Sequence, residues 1–144
     1  MDIKTYIINI TILWCGERLD YIHGFTIRYT TNELDRNLSR HLDQSQITFN
    51  LCLHNDDSIG SKIWFNGVRD DINTMNENIS ISLSTNEAII HSGQHWHSTE
   101  DIENGERINL ILWFRSPFCR NSISESAFNV CPDFIPSNLG KREL

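Results

Sequence analysis

The chain has 144 residues, 39% hydrophobic and 22% charged, a balance that fits one globular domain over residues 1–144 and excludes a disordered or fibrous chain. Twelve basic residues stand against 19 acidic ones, for a formal charge of −7, and no basic block interrupts the excess. A nucleic-acid partner is not expected, because phosphate binding needs clustered Lys and Arg, and no run of about 18 apolar residues exists to span a membrane.

The first apolar stretch, Tyr6 to Trp14, is broken only by Asn9 and Thr11. Asp2 does not suit the basic start of a secretory leader, and no small-residue cleavage site follows, so the stretch is predicted as a strand. Further strands are predicted at Phe25–Tyr29, Ile47–Leu53, Lys62–Phe65, Ile79–Leu83, Glu87–His91 and Ile108–Phe114. Asn32–Arg40 reads as a short helical turn or an irregular loop. His54-Asn55-Asp56-Asp57, Asn66-Gly67 and Glu103-Asn104-Gly105 carry turn chemistry, and Asn73–Asn78 is a polar loop. A short helix is predicted over Ser122–Asn129, and Pro132 and Pro136 point to an irregular tail beyond it. Short strands split by polar turns, with minor helices, predict an all-β sandwich or barrel.

The four cysteines, Cys15, Cys52, Cys119 and Cys131, form no C-x-x-C pair, so reduced thiols and a cytoplasmic setting are expected. The last residues, Lys141-Arg142-Glu143-Leu144, approach an ER-retrieval signal without matching it, which leaves the ER lumen as the alternative.

Two predicted strands have clean period-two faces. Arg107, Asn109, Ile111 and Trp113 share one face of the last strand, against Ile108, Leu110, Leu112 and Phe114 on the other. Thr48, Asn50 and Cys52 likewise oppose Ile47, Phe49, Leu51 and Leu53. A polar row backed by an apolar one is a surface strand or a pocket wall. A buried Arg107 would need a charge partner, which favours the pocket.

His41 and Asp43 are two apart, so on a strand or its frayed end both project to one side. A third ligand must come from another strand, and the 53 residues between Asp43 and His97 leave room for several hairpins. Two imidazoles and one carboxylate can bind one face of an octahedral Fe(II), leaving three positions for a co-substrate and O₂. Arg107 follows His97 after nine residues and offers a permanently charged fork for a carboxylate. Parity alone leaves the distal ligand open, because His91, His95 and His97 fall on the same side if they share a strand. Histidine and aspartate also serve zinc hydrolases, but that reading leaves the spacing of Arg107 unexplained.

The segment Phe25-Thr26-Ile27-Arg28-Tyr29 and the run His41-Leu42-Asp43-Gln44-Ser45-Gln46-Ile47-Thr48-Phe49-Asn50 fit an R/K-Y strand followed by H-x-D-x-S-x-x-T-x-N. His91-Ser92-Gly93-Gln94-His95-Trp96-His97 and Gly105-Glu106-Arg107-Ile108-Asn109-Leu110-Ile111-Leu112-Trp113-Phe114-Arg115-Ser116 fit H-x-G-x-H-x-H, then G-x-R-x-N-L-x-x-W-x-R-S. In these motifs, over about residues 25–116, the chain resembles the 2-oxoglutarate/Fe(II) dioxygenase superfamily, and more narrowly its prolyl- and lysyl-hydroxylase-like branch. One departure is Gly60-Ser61-Lys62, where that branch usually carries Gly-Gly; a serine replaces glycine there only if its backbone angles permit.

The resemblance implies a double-stranded β-helix, or jelly-roll, with Fe(II) between His41, Asp43 and His97. It selects His97 over His95 because the family's arginine follows its distal histidine by ten positions. It implies 2-oxoglutarate as co-substrate, with Arg107 on the far carboxylate and Tyr29 as a second contact, and Thr48 and Asn50 lining the same pocket. The implied activity is hydroxylation of a protein or peptide side chain of prolyl or lysyl type, with succinate and CO₂ as co-products and ascorbate as an auxiliary reductant. The alternative is a catalytically silent jelly-roll that binds a metal or a partner.

Overall fold

The computed structural model describes residues 5–7, 21–32, 34 and 36–115. Among them lie the strands β1 (Thr5–Ile7), β2 (Tyr21–Thr30), β3 (Leu38–His41), β4 (Ile47–Asn55), β5 (Ile59–Gly60), β6 (Ile63–Val68), β7 (Ile79–Ile81), β8 (Ala88–Ser92), β9 (His95–Thr99), β10 (Ile102–Asn104) and β11 (Glu106–Arg115). A single 3-10 turn, Ile72–Thr74, interrupts them, capped by the Asp71 carboxylate on the Asn73 amide. No helix among the described residues is long and apolar enough to cross a membrane.

The strands form a five-stranded sheet in the order β1-β8-β4-β11-β2, a four-stranded sheet β3-β9-β6-β7 and a small pair β10-β5. All the pairings are antiparallel except β1 with β8. Both larger sheets contribute to one cavity, and the architecture is the expected jelly-roll. β2 and β11 pair along their whole length, Tyr29 opposite Arg107 and Phe25 opposite Ile111. That register puts Phe25, Ile27 and Tyr29 on the same inner face as Arg107, Asn109, Ile111 and Trp113. The core cluster is Cys52, Ile63, Phe65, Leu83 and Ile89, with Ile81 packed against it. Burying the Phe65 side chain completely contributes about 1.5–3 kcal/mol. Its ring also touches those of His91, His95 and His97, so the core directly backs the histidine cluster.

Several elements depart from the sequence expectations. Asn66-Gly67, which carries turn chemistry, lies inside β6. Gly67 has φ +84°, the pairing of β6 with β9 shifts register between Phe65 and Val68, and the Gly67 amide donates to Glu77, so the pair forms a bulge. Glu103 and Asn104 belong to β10, and only Gly105 is left to turn the chain. The run His91 to His97 is not one strand. It breaks at Gly93-Gln94, with β8 in the five-stranded sheet and β9 in the four-stranded one. At the end of Asn32–Arg40, expected as a helical turn or an irregular loop, Leu38 to Arg40 belong to β3. Of the predicted first strand, Tyr6 and Ile7 lie in β1 and the remainder lies outside the described residues. Also outside them are the expected helix Ser122–Asn129, Pro132, Pro136, Cys15, Cys119 and Cys131; Cys52 is a buried free thiol.

Candidate metal centre

His41 ends β3, and its cross-strand partner is His97 on β9. Asp43 sits two residues on, in the turn that leads to β4. That turn is clamped to the β8–β9 corner: the Asp43 amide donates to the Gly93 carbonyl at 2.9 Å, and the Gly93 amide donates to the Gln46 carbonyl at 3.2 Å. A Cβ on Gly93 would lie 1.9 Å from the Ser45 carbonyl oxygen, so only glycine permits this approach.

The Nε2 atoms of His41 and His97 each lie 3.5 Å from Asp43 Oδ1, and donor atoms of all three residues fall within 4.8 Å of one another. Both imidazoles are anchored from behind. His41 Nδ1 meets the Ser39 carbonyl at 2.7 Å, and His97 Nδ1 meets the His95 carbonyl at 2.8 Å. A carbonyl only accepts, so each Nδ1 carries a proton, and in the neutral ring Nε2 holds the lone pair that a metal would take in place of a proton. The other carboxylate oxygen, Oδ2, accepts from the Thr48 hydroxyl at 2.5 Å, and Thr48 is in turn bonded to Ser45 at 2.7 Å. Two neutral imidazoles and a tethered carboxylate, converging at this spacing, fit a divalent transition metal.

The charges agree with that fit. Burial alone would raise the Asp43 pKa, but the His41 hydrogen bond, the nearby His97 and His91 and the Thr48 hydroxyl outweigh it and bring it to about 2. Burial lowers the pKa of His97. Burial acts in the same direction on His41, but its hydrogen bonds to Asp43 and Ser39 outweigh it and leave that pKa raised. His91 is wholly buried, its Nε2 is 3.9 Å from Asp43 Oδ2, and burial pushes its pKa down to about 3. It therefore stands as a neutral ring beside the carboxylate. The rival histidine, His95, turns away and contacts the Glu77 carboxylate.

These groups border a cavity of about 290 Å³ that runs along β11 to Arg107. Arg107 is 2% exposed, and its guanidinium lies 5.1 Å from the Tyr29 ring centre. Nη1 donates to the Ser61 carbonyl, while Nε is buried without a partner. No carboxylate among the described residues lies within ion-pair distance of it. Burial accordingly lowers its pKa, with Tyr29, Cys52 and Glu100 opposing. Glu100 is the acidic group in that set, and its carboxylate accepts from the Trp64 indole instead.

Tyr29 donates to the Thr99 hydroxyl at 3.4 Å, and burial raises its pKa. Thr48 lines the same cavity as Arg107, at its Asp43 end, where its hydroxyl donates to the carboxylate. Asn50 accepts from Asn109, whose own Oδ1 is left buried and unpartnered, as is the Trp113 indole nitrogen. The sequence reading missed the Ser45–Thr48–Asp43 relay, the neutral His91 and the Ser61 carbonyl. The relay had a local signal in the S-x-x-T spacing; the other two depend on pairings between distant segments.

No family model matches the chain. It is 36% identical over 125 residues, 83% of its own length and 30% of the relative's, to the 2-oxoglutarate and iron-dependent oxygenase domain-containing protein ICU11 of Arabidopsis thaliana. It is 28% identical over 102 residues, 66% of its length and 42% of the relative's, to a PKHD-type hydroxylase of Prochlorococcus marinus. A Pseudomonas putida prolyl-4-hydroxylase matches its fold with a TM-score of 0.53 over 69% of this chain and 54% of that one, at 18% identity. The chain belongs to the 2-oxoglutarate- and iron-dependent oxygenase superfamily. Fe(II) and 2-oxoglutarate are the cofactor and co-substrate of that class, and His41, Asp43 and His97 form a group that could hold such a metal. The chain spans about 30% of the length of the first curated relatives it matches.

Proposed function

We propose that this chain carries the catalytic domain of an Fe(II)- and 2-oxoglutarate-dependent dioxygenase that hydroxylates a prolyl or lysyl side chain of a protein or peptide. The carrying observation is the pairing, in one cavity, of the His41, Asp43 and His97 donors with a buried Arg107 that has no carboxylate partner among the described residues. Bound together, Fe(II) and 2-oxoglutarate supply the oxidising chemistry, consuming O₂ and releasing succinate and CO₂ as the substrate gains a hydroxyl.

The residues do the holding. His41, Asp43 and His97 would hold the metal through Nε2, Oδ1 and Nε2, and the Ser39 and His95 carbonyls keep both rings in the right tautomer. Thr48 holds Asp43 by Oδ2, which would leave Oδ1 for the metal. Arg107 binds the far carboxylate of 2-oxoglutarate, with Tyr29 beside it as a second contact. Asn50, bonded to Asn109, forms the pocket wall between the two ends. Without an incoming anion, a buried guanidinium with an unmet donor is costly to keep.

The test is turnover of the purified protein with Fe(II), ascorbate, 2-oxoglutarate and O₂. Succinate should form, and proline- and lysine-containing peptides should gain the mass of one oxygen atom. No succinate from protein shown to bind both Fe(II) and 2-oxoglutarate would favour the silent jelly-roll. Hydrolysis supported by Zn(II) without 2-oxoglutarate would favour a hydrolase.

A further inference from the structure

Ser61 stands where the branch usually has glycine, and its φ is +54°, in the left-handed region. It is 1% exposed. The residue before it, Gly60, has φ +78°, and a Cβ there would lie 2.3 Å from the Asp101 carbonyl oxygen. The Ser61 amide donates to that same carbonyl at 3.0 Å, and its hydroxyl meets Ser58 at 3.2 Å. Two consecutive left-handed residues thus turn the chain sharply. One result is that the Ser61 carbonyl points inward and receives Nη1 of Arg107.

This contact settles which side of the guanidinium remains free. A guanidinium grips a carboxylate bidentately along an edge that carries two parallel N–H bonds. One N–H of Nη1 is taken by a backbone carbonyl, and the edge formed by Nε and Nη2 is the one this contact leaves wholly unengaged. Nε is the buried nitrogen without a partner, and Arg107 lines the cavity. A carbonyl is also a neutral acceptor, so it fixes the fork without cancelling the charge that an anion must find.

We propose that Ser61 is the positioning residue for Arg107: its left-handed backbone aims a carbonyl at Nη1, so that the Nε–Nη2 edge faces the cavity as the carboxylate grip. The proposal rests on the reading of Arg107 as the 2-oxoglutarate anchor. What matters at position 61 is then the backbone angle and not the hydroxyl. Glycine and asparagine tolerate a positive φ, whereas β-branched threonine and valine resist it.

The experiment titrates 2-oxoglutarate into anaerobic Fe(II) protein and follows the charge-transfer absorption, with melting temperature recorded for each variant. Ser61→Gly and Ser61→Asn should bind 2-oxoglutarate within about twofold of the parent. Ser61→Thr, which keeps the hydroxyl, and Ser61→Val should each lose about tenfold or more in the folded fraction, with Fe(II) affinity unchanged. Should Ser61→Val not fold, Ser61→Thr decides. Parent-like affinity in folded Ser61→Thr, or a tenfold loss in Ser61→Gly, overturns the positioning role. Arg107→Ala is measured alongside. If it weakens 2-oxoglutarate binding while Ser61→Thr does not, the positioning role alone fails; if it has no effect, the anchor reading fails too.

Discussion

The two ends of the cavity are built differently. At the Asp43 end, hydrogen bonds that face away from the cavity are met: Nδ1 of both histidines rests on a carbonyl, and Asp43 Oδ2 on a hydroxyl. Along β11 the opposite holds. Nε of Arg107 and Oδ1 of Asn109 are buried with no partner. A fully tethered donor set suits an occupant that stays, because it is already arranged for one geometry. A row of unmet groups suits occupants that come and go, since each group regains its hydrogen bond only when something enters. In the proposed enzyme the first end holds the metal and the second receives molecules that are consumed.

The largest effect should come from the metal ligands themselves. His41→Ala, Asp43→Ala or His97→Ala should each abolish stoichiometric Fe(II) binding, whereas His95→Leu should retain it because that ring faces Glu77. Equilibrium dialysis against Fe(II) measures this, and retention by His97→Ala with loss by His95→Leu would reverse the ligand assignment. Next comes the anchor. Arg107→Ala should weaken 2-oxoglutarate binding by about 10- to 150-fold, the equivalent of roughly 1.5–3 kcal/mol for a charge-assisted contact. Fe(II) affinity should hardly change, and a change in both would mean the two ends are not separable. Arg107→Lys should recover little, because it restores charge without the fork.

A smaller effect is expected from loosening the tethered end. Thr48→Val keeps the volume and removes the donor to Asp43 Oδ2, and such outer-shell losses cost about 10-fold in metal affinity at the low end. Unchanged Fe(II) affinity in a folded Thr48→Val protein would show that the carboxylate needs no second support. The smallest is a pH effect. His41 is held above its ordinary value and His97 below it, so protons compete with the metal at His41 first. Apparent Fe(II) affinity should already be falling above the ordinary histidine value of about 6.5, losing about tenfold per pH unit as one proton is taken up. A loss of about a hundredfold per unit would place both imidazoles in that titration.

The period-two rows of β4 and β11 were legible in the sequence because alternation is local, and Arg107, Asn109, Ile111 and Trp113 do share the inner face. The donors His41, Asp43 and His97 were legible through spacing and resemblance. Parity misled at His91–His97, since it assumes one continuous strand, and the close packing of Gly93 on Ser45 is a contact between segments that no local pattern carries. Asn66-Gly67 shows the same limit. Its composition suits a turn, but pairing on both sides keeps β6 extended and spends the left-handed glycine on a bulge. Ser61 lies between the two: the resemblance marked the position as one that usually holds glycine, but only the folded chain shows that the serine takes the positive φ.

The cross-strand pairing of His41 with His97 has a consequence for how this centre tolerates change in length. Side chains alternate along a strand, so moving β9 by a single residue would bring Trp96 or Ser98 opposite His41. An indole offers no lone pair to a metal, and a hydroxyl is a poor substitute for imidazole. The third donor is thus set in discrete steps: a one-residue insertion or deletion within β9 removes it outright, with no weakened intermediate geometry between presence and absence.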